Sequence, residues 1–383
     1  MVSTKNKPFT NIQKNPSLLG FGCMRFPKLS PDLPDIDESL AEQMIDIAYQ
    51  SGVNYFDTAY PYHQGMSEPF LGKVMQKYPR NSYFLATKMP GWELKDVNDA
   101  IRIFNQQLSH LKTEYIDFYL CHALSKNGFE IYKNKQMMDF LFRMKKEGKI
   151  KYLGFSFHDT PEVLEEIIAY YPWDFVQLQL NYLDWDFQNA KRQYEIVKAY
   201  DLPVIVMEPV RGGTLAILSE ESSKILKDYH PEASVASWAI RYAASKEQVM
   251  VVLSGMSNLD QTLDNIRTLT HFRPINDEEQ FIIDQALKVF LENNTIPCTN
   301  CKYCMPCPQG VDIPRIFEIY NQYKLSKFEK QFVYQYLALG EDKMANHCVE
   351  CYQCVEQCPQ SIKIVDQLNE IHQLFLRLKG KHQ

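Results

Sequence analysis

The sequence predicts an α/β protein: a closed (β/α)8 or TIM barrel, followed by a small helical module rich in cysteine. Short apolar or β-branched runs alternate with longer amphipathic stretches from Leu18 to about Leu269. No Gly-x-Gly-x-x-Gly loop follows the first apolar run, which disfavours an open dinucleotide-binding sheet. Beyond Asp277 the alternation stops, and the cysteine-rich part of the chain follows.

Each apolar run is predicted to be a strand covered on both faces, because parallel strands between helices are apolar throughout. Eight such units in a row favour closure into a barrel over an open sheet. The predicted strands are 18–22, 55–57, 84–87, 116–120, 152–155, 175–180, 204–207 and 249–253. The predicted helices are 38–50, the stretch after 67, 97–111, 137–146, 163–170, 190–199, 234–244 and 259–269.

The bulk composition is that of a globular protein, with 45% hydrophobic and 23% charged residues. The net charge of -6 is mild, so we expect neither nucleic acid nor a membrane as a partner. No apolar run approaches the roughly 18 residues of a membrane-spanning helix. The N-terminal stretch is polar and lacks the apolar centre of a signal peptide. We therefore expect the chain to work in the reducing cytoplasm.

Four residues at or near the ends of predicted strands form a candidate proton-transfer set. Asp57 ends the second strand, with Tyr62 five residues on; Lys88 ends the third strand and His122 the fourth. Catalytic groups of a barrel lie at these strand ends. A lysine ammonium is expected to lower the pKa of the phenol, a carboxylate to hold the lysine, and a neutral imidazole to orient a carbonyl. Any one of the four alone is more often structural.

The motifs around these residues resemble those of the aldo-keto reductase family. The resemblance covers nearly all of the first 270 residues, and it implies an NAD(P)H-dependent carbonyl reductase with Tyr62 as general acid and a small carbonyl substrate. It is carried by Asn54-Tyr55-Phe56-Asp57-Thr58-Ala59 with Tyr62 and Ser67-Glu68, by Ala86-Thr87-Lys88, and by Asp117-Phe118-Tyr119-Leu120-Cys121-His122.

The same resemblance implies a set of positions that bind the nicotinamide cofactor. Three departures accompany it: Met207 replaces a stacking aromatic, His158 stands beside the usual asparagine position, and Gln261 replaces an arginine that grips the 2′-phosphate of NADP. The choice between NAD and NADP is therefore left open. The implied cofactor-binding residues are Gly22, Cys23, Met24, Asp57, Ser156, Gln177, Met207, Ser254, Gly255, Met256, Gln261 and Asn265.

Eight cysteines fall in two short runs, 298–307 and 348–358, whereas Cys23 and Cys121 stand alone and are expected to be buried packing residues. The second run has the spacing of bacterial ferredoxins, and the first is one residue short. By analogy with two-cluster ferredoxins we expect crossed ligation of two 4Fe-4S clusters, with zinc as the alternative. The first cysteine set is Cys298, Cys301, Cys304 and Cys358; the second cysteine set is Cys348, Cys351, Cys354 and Cys307.

The predicted domains are the barrel at 1–275, a helical linker at 276–296 and a helical ferredoxin-like iron–sulfur domain at 297–383. The leading functional hypothesis is a carbonyl reductase whose clusters exchange electrons with a ferredoxin, a flavodoxin or a flavoprotein. A plain reductase with structural clusters and a non-catalytic scaffold for electron transfer are the alternatives. Trp92 and Trp185 lie in loops that would line the substrate pocket, although packing roles are equally consistent with the sequence.

Overall fold

In the computed structural model, which describes residues 1–4, 9, 12–30, 35–270, 272–293 and 295–382, eight parallel strands close into a barrel in chain order. Strand β1 pairs with both β2 and β8, so the predicted barrel is confirmed. The strands are β1 Leu19–Gly22, β2 Tyr55–Asp57, β3 Phe84–Met89, β4 Ile116–Leu124, β5 Ile150–Phe157, β6 Phe175–Gln179, β7 Val204–Met207 and β8 Val249–Ser254.

Helices separate the strands and make up the C-terminal region, as predicted. The barrel helices are α1 Glu38–Gln50, α2 Ser67–Met75, α3 Val97–His110, α4 Lys126–Lys133, α5 Lys135–Lys146, α6 Pro161–Tyr170, α7 Asp184–Phe187, α8 Ala190–Ala199, α9 Glu220–Tyr229, α10 Val235–Ser245 and α11 Leu259–Leu269. The later helices are α12 Asp277–Leu291, α13 Ile313–Ser326, α14 Glu329–Leu337, α15 Gln353–Glu356 and α16 Ile364–His382.

Aromatic and aliphatic side chains of the strands fill the barrel interior. The rings of Tyr55 and Phe118 lie 5.1 Å apart, and Phe118 lies equally close to Phe175. Phe9 and Ile12, which precede β1, belong to the same buried cluster. The interior is therefore a packed core, as in other barrels of this size, and not a channel.

The described chain divides into two compact units. Unit 1 comprises Met1–Pro209 and Ser237–Ile275, and unit 2 comprises Val210–Ala236 and Asn276–Gln383. Residues 210–236, which are separated from the end of β7 by two residues, were expected within the barrel domain. They group with the C-terminal region instead, where α9 packs on α12. Unit 2 has its own apolar core, which includes Ile316, Phe332 and Tyr336.

Within the described residues, no helix combines the length and the apolar character needed to cross a bilayer.

Candidate active site and cysteine centres

The structure brings together the four residues predicted for proton transfer. Lys88 Nζ lies 2.5 Å from Asp57 Oδ1 and 3.3 Å from the hydroxyl oxygen of Tyr62. The rings of Tyr62 and His122 meet edge to face, with centroids 6.1 Å apart. Asp57, Lys88 and His122 are buried, and Tyr62 is partly exposed. A partly exposed phenol thus lies next to a buried ion pair.

Strand pairing places the ion pair, and one further backbone group completes it. Asp57 pairs with Ala86 across β2 and β3, which sets Lys88 two residues farther along β3. Lys88 Nζ also donates to the carbonyl oxygen of Thr58 at 2.8 Å. An ammonium has three donors, and here they meet the carboxylate of Asp57, the carbonyl of Thr58 and the hydroxyl of Tyr62.

A buried polar network, which the sequence analysis did not anticipate, supports the end of β3. Gln107 Nε2 donates to the carbonyl oxygen of Lys88 at 2.9 Å and to Glu68 Oε1 at 2.8 Å. Thr87 Oγ1 donates to the same carboxylate oxygen at 2.6 Å. Glu68 is part of the motif that carries the family resemblance, whereas a polar residue such as Gln107 on an amphipathic helix gave no signal.

The pKa of the Tyr62 phenol is raised well above its usual value, which corrects the expectation that Lys88 would lower it. Burial has the largest effect on this pKa, and the negative charges of Asp57 and Glu208 add to it. The Asp57 carboxylate, 2.5 Å from the ammonium, compensates the positive charge that was expected to stabilise a phenolate. The tyrosine therefore holds its proton at neutral pH.

The pKa of His122 is lowered well below its usual value, mainly by burial and also by the charge of Lys88. Its imidazole is therefore neutral at pH 7, as expected. The neighbouring His158 has its pKa lowered to about 4 by burial. The imidazoles of His122 and His158 are thus both neutral at pH 7.

Two of the predicted nicotinamide positions make hydrogen bonds at or beside residues of the predicted proton-transfer set. Gln177 Nε2 donates to Asp57 Oδ2 at 3.2 Å. Ser156 Oγ accepts a hydrogen bond of 2.7 Å from the backbone N–H of Ala123, the residue after His122. Both side chains are buried, and their contacts with a cofactor stay a prediction.

The turn after β1 and the residues after β7 are linked by an ion pair that sequence reasoning missed. Arg25 follows the predicted Gly22-Cys23-Met24 turn, and its guanidinium lies 3.4 Å from Glu208 Oε1, next to Met207. The carbonyl of Glu208 accepts from Asn181 Nδ2 at 3.0 Å. The pair therefore joins two segments predicted to hold nicotinamide. Arg25 lies one residue past the Gly22-Cys23-Met24 motif, and no pattern in the sequence marks it.

The residues predicted for the phosphate side of the cofactor lie at the end of β8, in the turn that follows it and in the first two turns of α11. Asn265 Nδ2 donates to Ser254 Oγ at 2.9 Å. Gln261 Oε1 accepts from the backbone N–H of Ser257 at 2.8 Å, and Gly255 and Met256 complete the turn between them. A loop that leads into the N-terminus of a helix is a suitable place for a phosphate, so these residues fit the group implied for them.

The two tryptophans of the predicted substrate loops differ in their surroundings. Trp92 is 55% exposed, and its ring centroid lies 5.0 Å from that of His122. Trp185 packs against the rings of Tyr194 and Tyr242, at 5.7 and 6.0 Å. Trp92 thus lies beside His122 of the predicted proton-transfer set, whereas Trp185 packs against α8 and α10.

In unit 2 the eight clustered cysteines surround two cavities. All four members of the first cysteine set line one cavity, together with Thr299 and Gln360. All four members of the second cysteine set line the other, which Cys304 also borders. Cys351 is exposed, whereas the other seven are partly buried. Each cavity thus has the thiols of one predicted crossed set around it, and this fits one cluster in each.

The eight clustered cysteines, all within the described residues, form no disulfide. Burial is the main cause that raises the pKa of Cys298 to about 11 and that of Cys304 to about 12. Within the part of the chain that the structure describes, no three His, Cys, Asp or Glu side chains form a site for a single metal ion. Zinc, which would gather four ligands at about 2.0–2.3 Å around one centre, stays the alternative to clusters.

Comparisons with known proteins agree with this geometry. The model of the aldo/keto reductase family matches residues 18–288, and the model of a 4Fe-4S dicluster domain matches residues 297–362.

Two curated relatives resemble the chain at low identity. L-galactose dehydrogenase of Arabidopsis thaliana is 24% identical over 323 residues, which is 78% of this chain and 98% of that protein. The NADH-specific methylglyoxal reductase of Escherichia coli (strain K12) is 24% identical over 276 residues, 61% of this chain and 84% of that protein.

Among solved structures, aldo-keto reductase AKR11C1 from Bacillus halodurans, in its holo form, superposes with a TM-score of 0.61 at 25% identity. The match covers 74% of this chain and 96% of that one.

Proposed function

From the premise that the chain belongs to the aldo/keto reductase family, we propose that it reduces a small carbonyl compound to an alcohol with a nicotinamide cofactor and uses Tyr62 as the general acid. The family and the relatives make the chain an oxidoreductase. The observation that carries the proposal is the contact of the partly exposed Tyr62 hydroxyl with Lys88 Nζ at 3.3 Å.

Each residue of the set has a distinct task in this mechanism. Tyr62 keeps its proton until a carbonyl oxygen accepts it, because burial and nearby carboxylates raise the pKa of the phenol. Lys88 faces the phenolate that remains, and its ammonium offsets part of the cost that burial and the nearby carboxylates place on that charge. Asp57 holds the ammonium in place. The neutral His122 offers a donor that can orient the carbonyl oxygen.

When bound, the nicotinamide supplies the hydride that reduces the carbonyl carbon. The residues that would hold it are Gly22, Cys23, Met24, Ser156, Gln177 and Met207 at the ring, and Ser254, Gly255, Met256, Gln261 and Asn265 toward the phosphates. The side chains of the exposed first turn of α11 include Asp260 and the neutral Gln261. A carboxylate without an arginine at this point disfavours the extra phosphate of NADPH, so we expect NADH to bind more tightly.

The chain also carries a 4Fe-4S dicluster domain, and we propose that its clusters exchange electrons with a one-electron partner. The exposure of Cys351 supports this, since it would bring the second cluster to the protein surface. A hydride carries two electrons and a cluster accepts one at a time. The proposed partner is therefore an external ferredoxin, flavodoxin or flavin-bearing subunit that docks on the C-terminal domain.

Anaerobic purification with iron and sulfide analysis, combined with NADH and NADPH titrations, tests the cofactors directly. Activity is measured with a panel of small aldehydes, ketones and dicarbonyls that includes methylglyoxal, the substrate named for the E. coli relative. Oxidation of NADH that depends on one of these carbonyls supports the proposal. Tight binding of NADH without turnover of any carbonyl in the panel contradicts it.

The double variant Cys351→Ser, Cys354→Ser tests electron exchange. We expect it to lose half of the iron and at least tenfold in the rate at which dithionite-reduced protein passes electrons to oxidised ferredoxin or flavodoxin. Val349→Ser changes an exposed neighbour within the same loop and should leave this rate unaltered. If the folded double variant keeps full NADH-dependent activity and transfers electrons as fast as the parent, the clusters are structural.

A further inference from the structure

Unit 2 contains a buried arginine beside the first cysteine set. Arg211 is only 1% exposed and is one of the largest fully buried side chains of the protein. Its Nη2 donates to Gln360 Oε1 at 3.3 Å. Gln360 lies two residues beyond Cys358, the fourth member of the set, and borders the same cavity.

The next residue, Gly212, lies against the backbone beside Cys298, the first member of the same cysteine set. Gly212 has a φ of +63°, and a Cβ placed on it would lie 2.3 Å from the carbonyl oxygen of Thr299. Thr299 directly follows Cys298. Residues 211 and 212 therefore touch both chain segments that supply the first cysteine set, one from each run, and only glycine fits at position 212.

A permanent charge at this place has consequences for a redox centre. The guanidinium of arginine stays protonated in proteins, and its burial is costly unless a counter-charge lies nearby. A 4Fe-4S cluster held by four thiolates carries negative charge and gains one more negative charge on reduction. A nearby cation therefore stabilises the reduced form more than the oxidised form, and the effect is stronger where water is excluded. Net charge around the sulfurs is one of the factors that set cluster potentials.

We propose that Arg211 raises the reduction potential of the cluster held by the first cysteine set. The inference rests on the proposed binding of two clusters, but not on the identity of the carbonyl substrate. Arg211 is thus a tuning residue that acts on the cluster through its charge, and it binds no iron.

The test compares Arg211→Gln, which removes the charge, with Arg211→Lys, which keeps it. Potentials are measured by a dithionite titration of the full chain followed by electron paramagnetic resonance. The signal of the first cluster is identified as the one that persists in the Cys351→Ser, Cys354→Ser variant. At a fixed potential we expect Arg211→Gln to lower the ratio of reduced to oxidised first cluster at least tenfold, a shift of about 59 mV for a one-electron couple.

Arg211→Lys should stay within threefold of the parent ratio. Arg315→Gln makes the same chemical change at an exposed arginine of unit 2 that pairs with Glu318, and it should not shift the ratio. An unchanged ratio in a fully loaded Arg211→Gln protein overturns the proposal, as does an equal shift in Arg315→Gln.

If Arg211→Gln loses the first cluster altogether, Arg211→Lys decides the matter. A lysine variant that retains the cluster at the parent potential shows that the charge is required. A lysine variant that also loses the cluster shows that Arg211 is needed for packing, and the proposal fails. Absence of clusters from the parent protein contradicts the proposed function itself, and iron and sulfide analysis separates that outcome from the others.

Discussion

Replacement of Tyr62 by phenylalanine should remove carbonyl reduction while leaving the fold intact. The substitution deletes one oxygen atom, which contacts Lys88 Nζ at 3.3 Å. The ammonium retains its two shorter contacts, with Asp57 at 2.5 Å and with the carbonyl of Thr58 at 2.8 Å. The buried ion pair therefore keeps its partners, and the free energy of unfolding should change by no more than about 1.5 kcal/mol, as for one typical hydrogen bond.

The expected loss of activity is much larger. A positioned general acid contributes about 10²–10⁴-fold, which corresponds to about 2.7–5.4 kcal/mol of barrier at about 1.36 kcal/mol for each factor of ten. Steady-state turnover of the best carbonyl in the panel measures kcat, and fluorescence titration with NADH measures cofactor affinity. We expect kcat to fall by at least a hundredfold and the Kd for NADH to stay within threefold.

Tyr60→Phe is the matched control, because it removes a hydroxyl from a partly exposed tyrosine two residues away. That hydroxyl contacts Gln106 at 3.5 Å and makes no described contact with the ion pair. Its kcat should remain within threefold of the parent value. If Tyr62→Phe keeps more than a tenth of the parent kcat, or if Tyr60→Phe loses as much, another group donates the proton.

Three further predictions concern the ion pair, the cofactor and acid stability. Lys88→Met should leave Asp57 buried without its ammonium and cost about 3–5 kcal/mol of unfolding free energy; adding Asp57→Asn should restore stability in urea titrations but not activity. Gln261→Arg should tighten NADPH binding about tenfold or more relative to NADH, since a charge-assisted hydrogen bond contributes about 1.5–3 kcal/mol, and titration of both cofactors measures the ratio. The pKa of His158 is lowered to about 4. As the pH falls from about 6.5, the unfolded chain therefore takes up a proton that the folded chain does not. The free energy of unfolding should decline by up to about 3 kcal/mol by about pH 4. His158→Gln should flatten that part of the urea-unfolding profile, and an unchanged pH slope in the variant would contradict this assignment.

The barrel could be predicted because its strands are apolar on both faces, and that pattern can be recognised in the sequence before any contact is known. The bounds were less accurate where polar residues continue a strand. The predicted fourth strand ended at Leu120, whereas β4 runs on to Leu124. An irregularity in its pairing with β5 lies between Cys121 and Leu124. His122 therefore lies within the strand and not after it.

The residues proposed for proton transfer could be named from the sequence, whereas their electrostatic environment could not. The positions of Asp57 and Lys88 follow from the strand ends, whereas the pKa of Tyr62 depends on how deeply the phenol is buried and on charges from elsewhere in the chain. Glu208 and Arg25 both affect that pKa, and they are 183 residues apart. No local pattern connects them, so the direction of the pKa shift required the structure.

The association of residues 210–236 with the C-terminal region was also invisible in the sequence. The segment follows β7 as an ordinary strand-to-helix connection would, and its helix α9 is short and polar. What distinguishes it is Arg211, which the sequence presents as a charged residue in a glycine-rich turn and the structure buries. A buried charge is visible only when contacts are known, because sequence patterns place charged side chains in solvent.

The directions of the pKa shifts decide which group of the active site can donate a proton. The pKa of Tyr62 is raised and that of His122 is lowered. At neutral pH the phenol is therefore protonated and the imidazole is neutral. Asp57 and Lys88 form a close ion pair that carries no net charge before the reaction. A charge develops only when the phenol releases its proton, and the ammonium already lies 3.3 Å from the oxygen that would carry it. Groups whose pKa values are separated in this way mark the acid of a site. The resting phenol therefore stays protonated, and the contact with Lys88 offsets part of the cost of the phenolate that follows proton transfer.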